Sequence, residues 1–271
     1  MKKIWFILIL SLISICTIII FRAYKYYIPP QLHKPYKIYN HKNHDDTLRI
    51  AFIGDSWAYM HKSHNCKIAQ IIEDSIHCPI SVHSFGICGL TSKEIYEHIF
   101  DDPDFRQFMQ DKKYDYCFVS AGINDTYKKM SSSYYKKSME GIIDLLLANH
   151  IHPIIMEIPD YNIIKAYDNQ KKDKKLIRRL SMYVNSTPLD CRQDFRDALD
   201  ELINEKGYND IISVIRYKSW NNDYEDNLKR LYLNDGMHLN EKGYLVLDSM
   251  IAKTISHHYA SKHGLSHDSL R

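Results

Sequence analysis

A serine in the first quarter of the chain stands where a nucleophile could be presented to a substrate. Ser56 follows the short β-rich run Leu48–Gly54 and precedes a segment with helical spacing. A serine between a strand and a helix lies on a sharp turn, with its hydroxyl exposed and the amides of the helix N-terminus nearby to bind an anion. Ser56 is therefore a candidate nucleophile.

An aspartate and a histidine near the C-terminus could activate such a serine. Asp235 and His238 lie three residues apart in the segment Asn-Asp-Gly-Met-His-Leu-Asn. A serine hydroxyl is a weak nucleophile at neutral pH unless a base takes its proton, and a base histidine needs an acceptor on its other ring nitrogen. One Asp-x-x-His segment can supply both groups.

Strand-like and helix-like segments alternate from Leu48 onward and must position these side chains. The predicted strands cover 48–54, 80–85, 114–121, 153–158 and 211–215, and the predicted helices cover 68–76, 92–108 with a break at Pro103, 134–149, 194–206 and 243–257. This alternation indicates right-handed βαβ units. We therefore predict the α/β class, as a three-layer α/β/α sandwich around a mostly parallel sheet of about five strands, with flavodoxin-like architecture.

Short loops rich in glycine and polar residues follow the first three predicted strands. Gly54-Asp-Ser56 follows the first strand, Gly86–Thr91 the second and Gly122–Asp125 the third. Ligands of open α/β sheets bind at the carboxyl ends of the strands. We therefore expect these three loops to meet at one edge of the sheet.

These three blocks and the Asp-Gly-Met-His segment, in this order, resemble the SGNH (GDSL-like) hydrolase family. The resemblance covers roughly residues 49–257. It implies that Ser56 is the nucleophile, His238 the general base and Asp235 the residue that orients the histidine. It also implies an oxyanion hole formed by the amides of Ser56 and Gly89 and by the side-chain amide of Asn124, with Gly86 as the alternative to Gly89.

The resemblance implies an enzyme that hydrolyses carboxylic esters by acyl transfer from Ser56 to water, with no metal and no cofactor. We predict an O-acetylesterase acting on a cell-envelope or surface polysaccharide. Three alternatives stay open: a lysophospholipase or thioesterase, a glycan O-acetyltransferase in which a sugar hydroxyl replaces water, and a glycan-binding module that kept the fold and lost turnover.

Each block also has a purely structural explanation. Ser56 and Asp235 could cap helices, His238 could be an ordinary surface histidine, and Asn124 with Asp125 could form an Asx turn. The structural explanations would need independent coincidences in the right order along the chain. The joint pattern therefore favours catalysis.

The N-terminus contains a run that could span a membrane. Ile4–Phe21 has no charge and no proline, and as a helix it is about 27 Å long. We predict a membrane anchor over residues 1–22, with a signal peptide as the alternative, then a proline-containing tether over 23–46 and the hydrolase-like domain over 47–271. Because short N-terminal tails usually stay inside, we expect the domain outside the cytoplasm, or secreted if the N-terminus is cleaved.

Charge and cysteine content exclude some other classes of protein. The 36 Lys and Arg against 33 Asp and Glu give a net charge of +3, too small to indicate a polyanionic partner, and no pattern indicates nucleic-acid binding. Five of the six cysteines lie outside the anchor, so a complete disulfide framework is excluded. The oligomeric state is not indicated.

Two local clusters have alternative explanations. The spacing of His61, His64 and Cys66 matches no standard structural zinc site, so we predict no metal. The basic run Lys171–Lys175 lies in the stretch 161–193, which is longer than a simple connection and could form a lid. A solvated helix face is the main interpretation of this run, and contact with an anionic glycan or with phospholipid headgroups is the alternative.

Overall fold

A computed structural model of the chain describes residues 2–39, 41, 45–61, 65–220 and 223–264. Its five strands form one sheet in the order β2-β1-β3-β4-β5, and every pairing is parallel. The strands are β1 (Leu48–Gly54), β2 (Ile80–Gly86), β3 (Tyr116–Ser120), β4 (His152–Met156) and β5 (Ser213–Ile215). The predicted parallel sheet of five strands is confirmed.

Helices connect these strands and cover the sheet. In chain order they are α1 (Lys2–Tyr27), α2 (Ser56–His61), α3 (Asn65–Ile76), α4 (Ser92–Asp101), α5 (Pro103–Asp111), α6 (Ile123–Lys128), α7 (Ser132–Ala148), α8 (Ile163–Asp168), α9 (Lys172–Asn185), α10 (Arg192–Lys206), α11 (Tyr224–Arg230) and α12 (Glu241–His263), with a 3-10 turn at Tyr217–Ser219.

The strand order determines which helices share a face of the sheet. The chain moves from β1 to β2 in one direction and then back past β1 to β3, β4 and β5. Because crossovers between parallel strands are right-handed, this reversal places α3 on the opposite face from α4, α7 and α10. Accordingly, α3 packs against α12, while α4 and α10 pack against α7. The predicted three-layer sandwich is confirmed.

Local sequence explains where several elements begin and end. β1 is continuously apolar from Ile50 to Ile53, and these side chains are fully buried, as expected for a central parallel strand. The break predicted at Pro103 separates α4 from α5, and Asp102 caps α5 by accepting from the backbone amide of Asp104. Proline at the first position of a helix costs no hydrogen bond, since that amide has no partner within the helix.

The segment after α1 lies against the domain. Helix α1 itself continues to Tyr27, beyond the predicted end of the apolar run at Phe21. The backbone amide of His33 then donates to the Tyr96 hydroxyl at 2.8 Å, and that of Tyr39 donates to the Asn149 side chain at 2.8 Å. The segment predicted as a tether is therefore held by α4 and α7 as far as Tyr39, while Asn40 and residues 42–44 lie outside the described residues.

Candidate functional site

The sharp turn after β1 presents Ser56 at the first position of α2. Gly54 has a φ of 147°, and a Cβ there would lie 2.0 Å from the carbonyl oxygen of Ser120. Only glycine can take this conformation this close to the neighbouring strand. The Asp55 carbonyl accepts from the Tyr59 amide at 3.0 Å, so the helix begins at once.

Ser56, His238 and Asp235 form a chain of hydrogen bonds. His238 Nε2 lies 3.0 Å from Ser56 Oγ, and His238 Nδ1 lies 2.7 Å from Asp235 Oδ2. With a proton on Nδ1, the imidazole donates to the aspartate and presents a lone pair on Nε2 to the serine hydroxyl. This arrangement can remove a proton from Ser56.

Backbone contacts fix the loop that carries the histidine. Asp235 Oδ1 accepts from the backbone amides of Met237 at 2.8 Å and His238 at 3.0 Å. The indole of Trp57, the residue after Ser56, donates to the Met237 carbonyl at 3.2 Å. The loop is thus attached directly to the helix that begins with the serine.

Hydrogen bonding keeps Asp235 ionised. Partial burial by itself raises the pKa of this carboxyl, but the hydrogen bonds from the His238 ring and from the His238 and Met237 amides outweigh it. Its pKa consequently lies below the ordinary value of 3.8. An ionised partner orients the imidazole and stabilises an imidazolium that forms beside it.

The structural explanations for these residues do not match the contacts. Asp55, and not Ser56, accepts from the Trp57 amide at 3.0 Å near the start of α2. Asn240, and not Asp235, caps α12 by accepting from the Gly243 amide at 3.0 Å. The Ser56 hydroxyl and the Asp235 carboxylate are therefore directed at His238.

Asn124 lies at the start of α6, directly after β3. Its side-chain amide Nδ2 lies 3.4 Å from Asp55 Oδ2, a long contact that involves one of the two amide hydrogens. The other hydrogen can point at a developing oxyanion. Because β1 and β3 are neighbours and the chain reverses direction there, Ser56 and Asn124 flank the switch point of the sheet.

The two candidate glycines after β2 have different surroundings. A Cβ on Gly86 would lie 2.2 Å from the Tyr59 amide nitrogen, so Gly86 allows β2 to pack closely against α2. Gly89 has a φ of 83° with nothing within 4 Å of a Cβ, and its loop starts where the Ile87 amide donates to the Gly54 carbonyl at 3.0 Å. Open space therefore surrounds Gly89, whereas Gly86 lies against the backbone of α2.

Two buried aspartates lie beside these residues, and the sequence pattern alone indicates no catalytic role for either of them. Asp55 accepts from the Ser120 hydroxyl at 2.9 Å, and Asp125 accepts from the Ser92 amide at 2.8 Å and from the Ser92 hydroxyl. Burial raises the pKa of Asp55 to about 6 and that of Asp125 to about 7. For Asp55, the signal in the sequence is a carboxylate directly after an apolar strand, whereas Asp125 lies in the first turn of α6 and carries no such signal.

Among the described residues, no group of three or more His, Cys, Asp or Glu side chains is arranged to hold a metal ion. In the cluster considered for zinc, His61 is buried and hydrogen-bonded to Asp248. His64 and the Cys66 side chain lie outside the described residues.

Two solved structures with a similar fold are named as ester hydrolases. A lipase/acylhydrolase from Enterococcus faecalis superposes with a TM-score of 0.52 at 13% identity, covering 78% of this chain and 96% of that one. An acetylxylan esterase from Geobacillus stearothermophilus superposes with a TM-score of 0.51 at 15% identity, covering 77% and 94%. At this level of identity the likeness concerns the fold.

One relative found by sequence similarity is named for an activity other than ester hydrolysis. The N-acylneuraminate cytidylyltransferase of Escherichia coli O18:K1:H7 is 26% identical over 183 residues, which cover 65% of this chain and 35% of the relative. The chain thus spans about a third of that protein's length.

The family is given by a match to most of the chain. Residues 52–246 match the sequence model of the GDSL-like lipase/acylhydrolase family, a range that includes Ser56, Asn124, Asp235 and His238. The fold agrees with this match, as does the place of the serine at the end of β1. The chain therefore belongs to the GDSL-like lipase/acylhydrolase family of ester-hydrolysing enzymes.

Proposed function

We propose that the chain is a serine esterase in which Ser56, His238 and Asp235 act as a catalytic triad. The hydrogen-bond chain from Ser56 Oγ through the imidazole to the Asp235 carboxylate carries this proposal. His238 takes the proton of Ser56 as the hydroxyl attacks the ester carbonyl, and then gives it to the leaving alcohol. Water, deprotonated by the same histidine, releases the acid.

The negative charge on the carbonyl oxygen needs donors held in place before the reaction. The amides of Ser56 and Gly89 and the side chain of Asn124 are proposed for this role. Asp55 restrains Asn124 through the contact described above. Loss of one such donor lowers kcat by about 10²- to 10³-fold in serine hydrolases.

We propose an acetylated envelope or surface glycan as the substrate, cleaved outside the cytoplasm. One of the solved structures with this fold is named an acetylxylan esterase. Beside Trp57 lies a small cavity of about 80 Å³ lined by both aromatic rings and polar groups, the kinds of group that contact a sugar: Asp160, Tyr217, Lys218, Trp220, Tyr224, Asn227 and Tyr232. The Trp57 and Trp220 rings pack edge to face at 6.1 Å, which joins this cavity to the nucleophile's helix.

The test compares acyl-chain lengths with the full chain in detergent micelles. We expect turnover of p-nitrophenyl acetate to exceed that of octanoate and palmitate esters. In Ser56→Ala, kcat should fall by about 10⁵-fold or more, while Ser249→Ala, an exposed serine of α12, should leave it unchanged. Undiminished activity in Ser56→Ala would contradict the triad.

The second step of the test identifies the glycan. Acetate release is measured from acetylated xylan, from O-acetylated peptidoglycan and from an O-acetylated N-acylneuraminate polymer, the last because of the name of the E. coli relative. Release from one of them, lost in Ser56→Ala, supports the glycan substrate. Preference for long acyl chains would assign a lipid substrate, and acetate transfer to added sugar would assign a transferase.

A further inference from the structure

The outer face of α9 is apolar although it lies on the surface of the domain. Tyr183 is 86% exposed and Leu180 58%, while Ser181, one position and about 100° further around the helix from Leu180, is buried. The side chains of this outer stripe recur at helical spacing: Leu176, Ile177, Leu180, Tyr183 and Val184. A contiguous apolar stripe of this kind on a surface helix indicates a contact with another apolar phase.

Lysines are concentrated at the N-terminal end of the outer stripe, with Asp173 among them. Within the described part of the chain, Lys171, Lys172 and Lys174 take part in no ion pair, whereas Lys175 lies 3.7 Å from Asp168. An amphipathic helix with lysines beside its apolar face is the kind that lies in the headgroup layer of a membrane, where anionic lipids attract the cations.

The outer stripe lies next to the end of the apolar helix α1. The Tyr27 hydroxyl, at the last residue of α1, hydrogen-bonds the Ser181 hydroxyl in the middle of α9. Lys93 Nζ of α4 donates to the carbonyls of Lys25 at 3.2 Å and Ile28 at 3.1 Å. The end of α1 is thus held between α4 and α9.

The length of α1 determines how close α9 lies to the surface of the bilayer. The candidate span Lys3–Tyr27 has 25 residues and is about 38 Å long as a helix, against a hydrocarbon core of about 30 Å. If α1 crosses a bilayer, its last residues lie at headgroup level. A helix that touches Tyr27 through Ser181 then lies within one helix diameter, about 10 Å, of the lipid surface.

We propose that α9 is an interfacial helix that docks the domain on the anionic leaflet from which α1 emerges. In this proposal the side chains of the outer stripe contact the lipid bilayer itself. This proposal rests on α1 spanning the membrane and does not depend on the esterase activity.

Docking through α9 brings the predicted active site to the membrane surface. The Asn185 side chain at the end of α9 donates to the Lys129 carbonyl at 2.7 Å, directly after α6, the helix that carries Asn124. Before α8, the Asn162 amide donates to the Gly236 carbonyl at 2.8 Å, in the loop of Asp235 and His238. The carboxyl edge of the sheet therefore lies beside the lipid, and the enzyme acts on esters close to the membrane.

The test measures contact between α9 and lipid in the full chain, reconstituted in bilayers of phosphatidylcholine and phosphatidylglycerol. Tyr183→Trp places a fluorophore in the outer stripe. Ile211→Trp places one at a 47% exposed site just before β5, at the amino ends of the strands and so opposite the carboxyl edge of the sheet. Lipids brominated near the headgroup end of the acyl chain quench tryptophan on contact. Signal from the wild-type chain is subtracted to remove its three native tryptophans.

We expect at least half of the added fluorescence of Tyr183→Trp to be quenched, and little of that of Ile211→Trp. Quenching should weaken in pure phosphatidylcholine, and Lys172→Glu with Lys174→Glu should weaken it in anionic bilayers. Equal quenching of the two reporters would overturn the proposal. Loss of quenching as protein density rises would also overturn it and assign the stripe to a second copy of the chain.

The two proposals fail separately in these experiments. Quenching does not require turnover, so a chain inactive on every ester can still show α9 in the membrane. Hydrolysis of p-nitrophenyl acetate in micelles does not require docking, so an active esterase can still show no quenching.

Discussion

At the scale of single residues, the proposed site consists of a hydrogen-bonded relay beside two buried carboxylates. The Asp235 side chain is 46% exposed and that of His238 27%, whereas Asp55 and Asp125 are fully buried. Asp235 and His238 can meet water, while Asp55 holds the end of β3 and Asn124, and Asp125 holds the start of α4. Hydrogen bonds to its charged form lower the pKa of Asp235, whereas burial raises the pKa values of Asp55 and Asp125.

Replacing Asp235 tests the relay with little change of structure. In Asp235→Asn the side-chain oxygen can still accept from the Met237 and His238 amides, but an amide group cannot accept the Nδ1 proton in the same way. We expect kcat for p-nitrophenyl acetate to fall by about 10³- to 10⁴-fold with KM unchanged. Asp226→Asn, which removes an exposed i,i+4 ion pair with Arg230, is the control. A decrease of less than about twofold would exclude Asp235 from the relay.

The buried carboxyl of Asp55 makes stability depend on pH. Its folded pKa of about 6 lies above the ordinary 3.8, so the folded chain holds this proton more tightly than the unfolded chain. This proton adds about 3 kcal/mol to the free energy of unfolding, for a pKa difference of about two units. The full amount is present below about pH 4, and it is lost as the pH rises through about 6.

Asp55→Asn removes this titration. The free energy of unfolding of the variant, relative to the wild type, should rise by up to about 3 kcal/mol between pH 4 and pH 7.5, because asparagine does not ionise. Urea unfolding of both chains in micelles, followed by tryptophan fluorescence, measures the difference. Asp125 titrates in both chains, and the charge of Asp55 is a minor influence on its pKa, so most of its contribution cancels. A difference that does not change with pH would contradict the raised pKa.

At the scale of elements, the proposed site depends on the short turn between β1 and α2, on the loop before α12, and on the contact between α2 and α12. His61 of α2 and Asp248 of α12 are hydrogen-bonded and fully buried. This bond joins the helix that begins with Ser56 to the helix that follows the loop of His238. The distance between the serine and the histidine is therefore set by helix packing as well as by the loops.

The turn after β1 is the element least able to accept a side chain. Gly54→Ala should lower the free energy of unfolding by about 3 kcal/mol or more, because its Cβ would collide with the Ser120 carbonyl and the backbone would be strained. Gly207→Ala is the matched control: Gly207 ends α10 at a φ of 66° with open space around a Cβ, so we expect a cost of about 1 kcal/mol. Thermal unfolding in micelles compares them, and equal losses would contradict the close approach.

At the scale of the whole molecule, the described residues combine one apolar helix with an α/β domain. The side chains from Lys3 to Lys25 are exposed in the absence of lipid, whereas Tyr26 and Tyr27 are half-buried, and residues 28–39 and α9 connect this end of α1 to the domain. We propose that residues 1–22 remain as an anchor, with the domain outside the cytoplasm. A helix this apolar that leaves the domain beside α9 has the features of a membrane span.

Fractionation of expressing cells tests the anchor. The full chain should stay in the membrane pellet after alkaline carbonate extraction, because an inserted helix resists the loss of electrostatic contacts, and its intact mass should include residues 2–22. Protease added from outside should degrade the domain. A soluble chain that starts after residue 22 would instead identify a cleaved signal peptide.

The sequence by itself determined the class of fold, the candidate nucleophile and the apolar N-terminal run. These features are local: an apolar run of four residues forms the centre of β1, a Gly-Asp-Ser follows that run, and Asp235 and His238 share one turn. Local signals such as strand period, capping and turn chemistry are encoded within a few residues. For the same reason Pro103 correctly predicted the break between α4 and α5.

Only the tertiary structure decided which distant groups meet. Ser56 and His238 are 182 positions apart, and their hydrogen bond depends on strand order and on the packing of α2 against α12. The contact between Asp55 and Asn124, and the place of α9 beside the end of α1, also arise between segments far apart in the chain. The pattern of a segment shows which of its faces is apolar, but the partner of that face is set by the assembled fold.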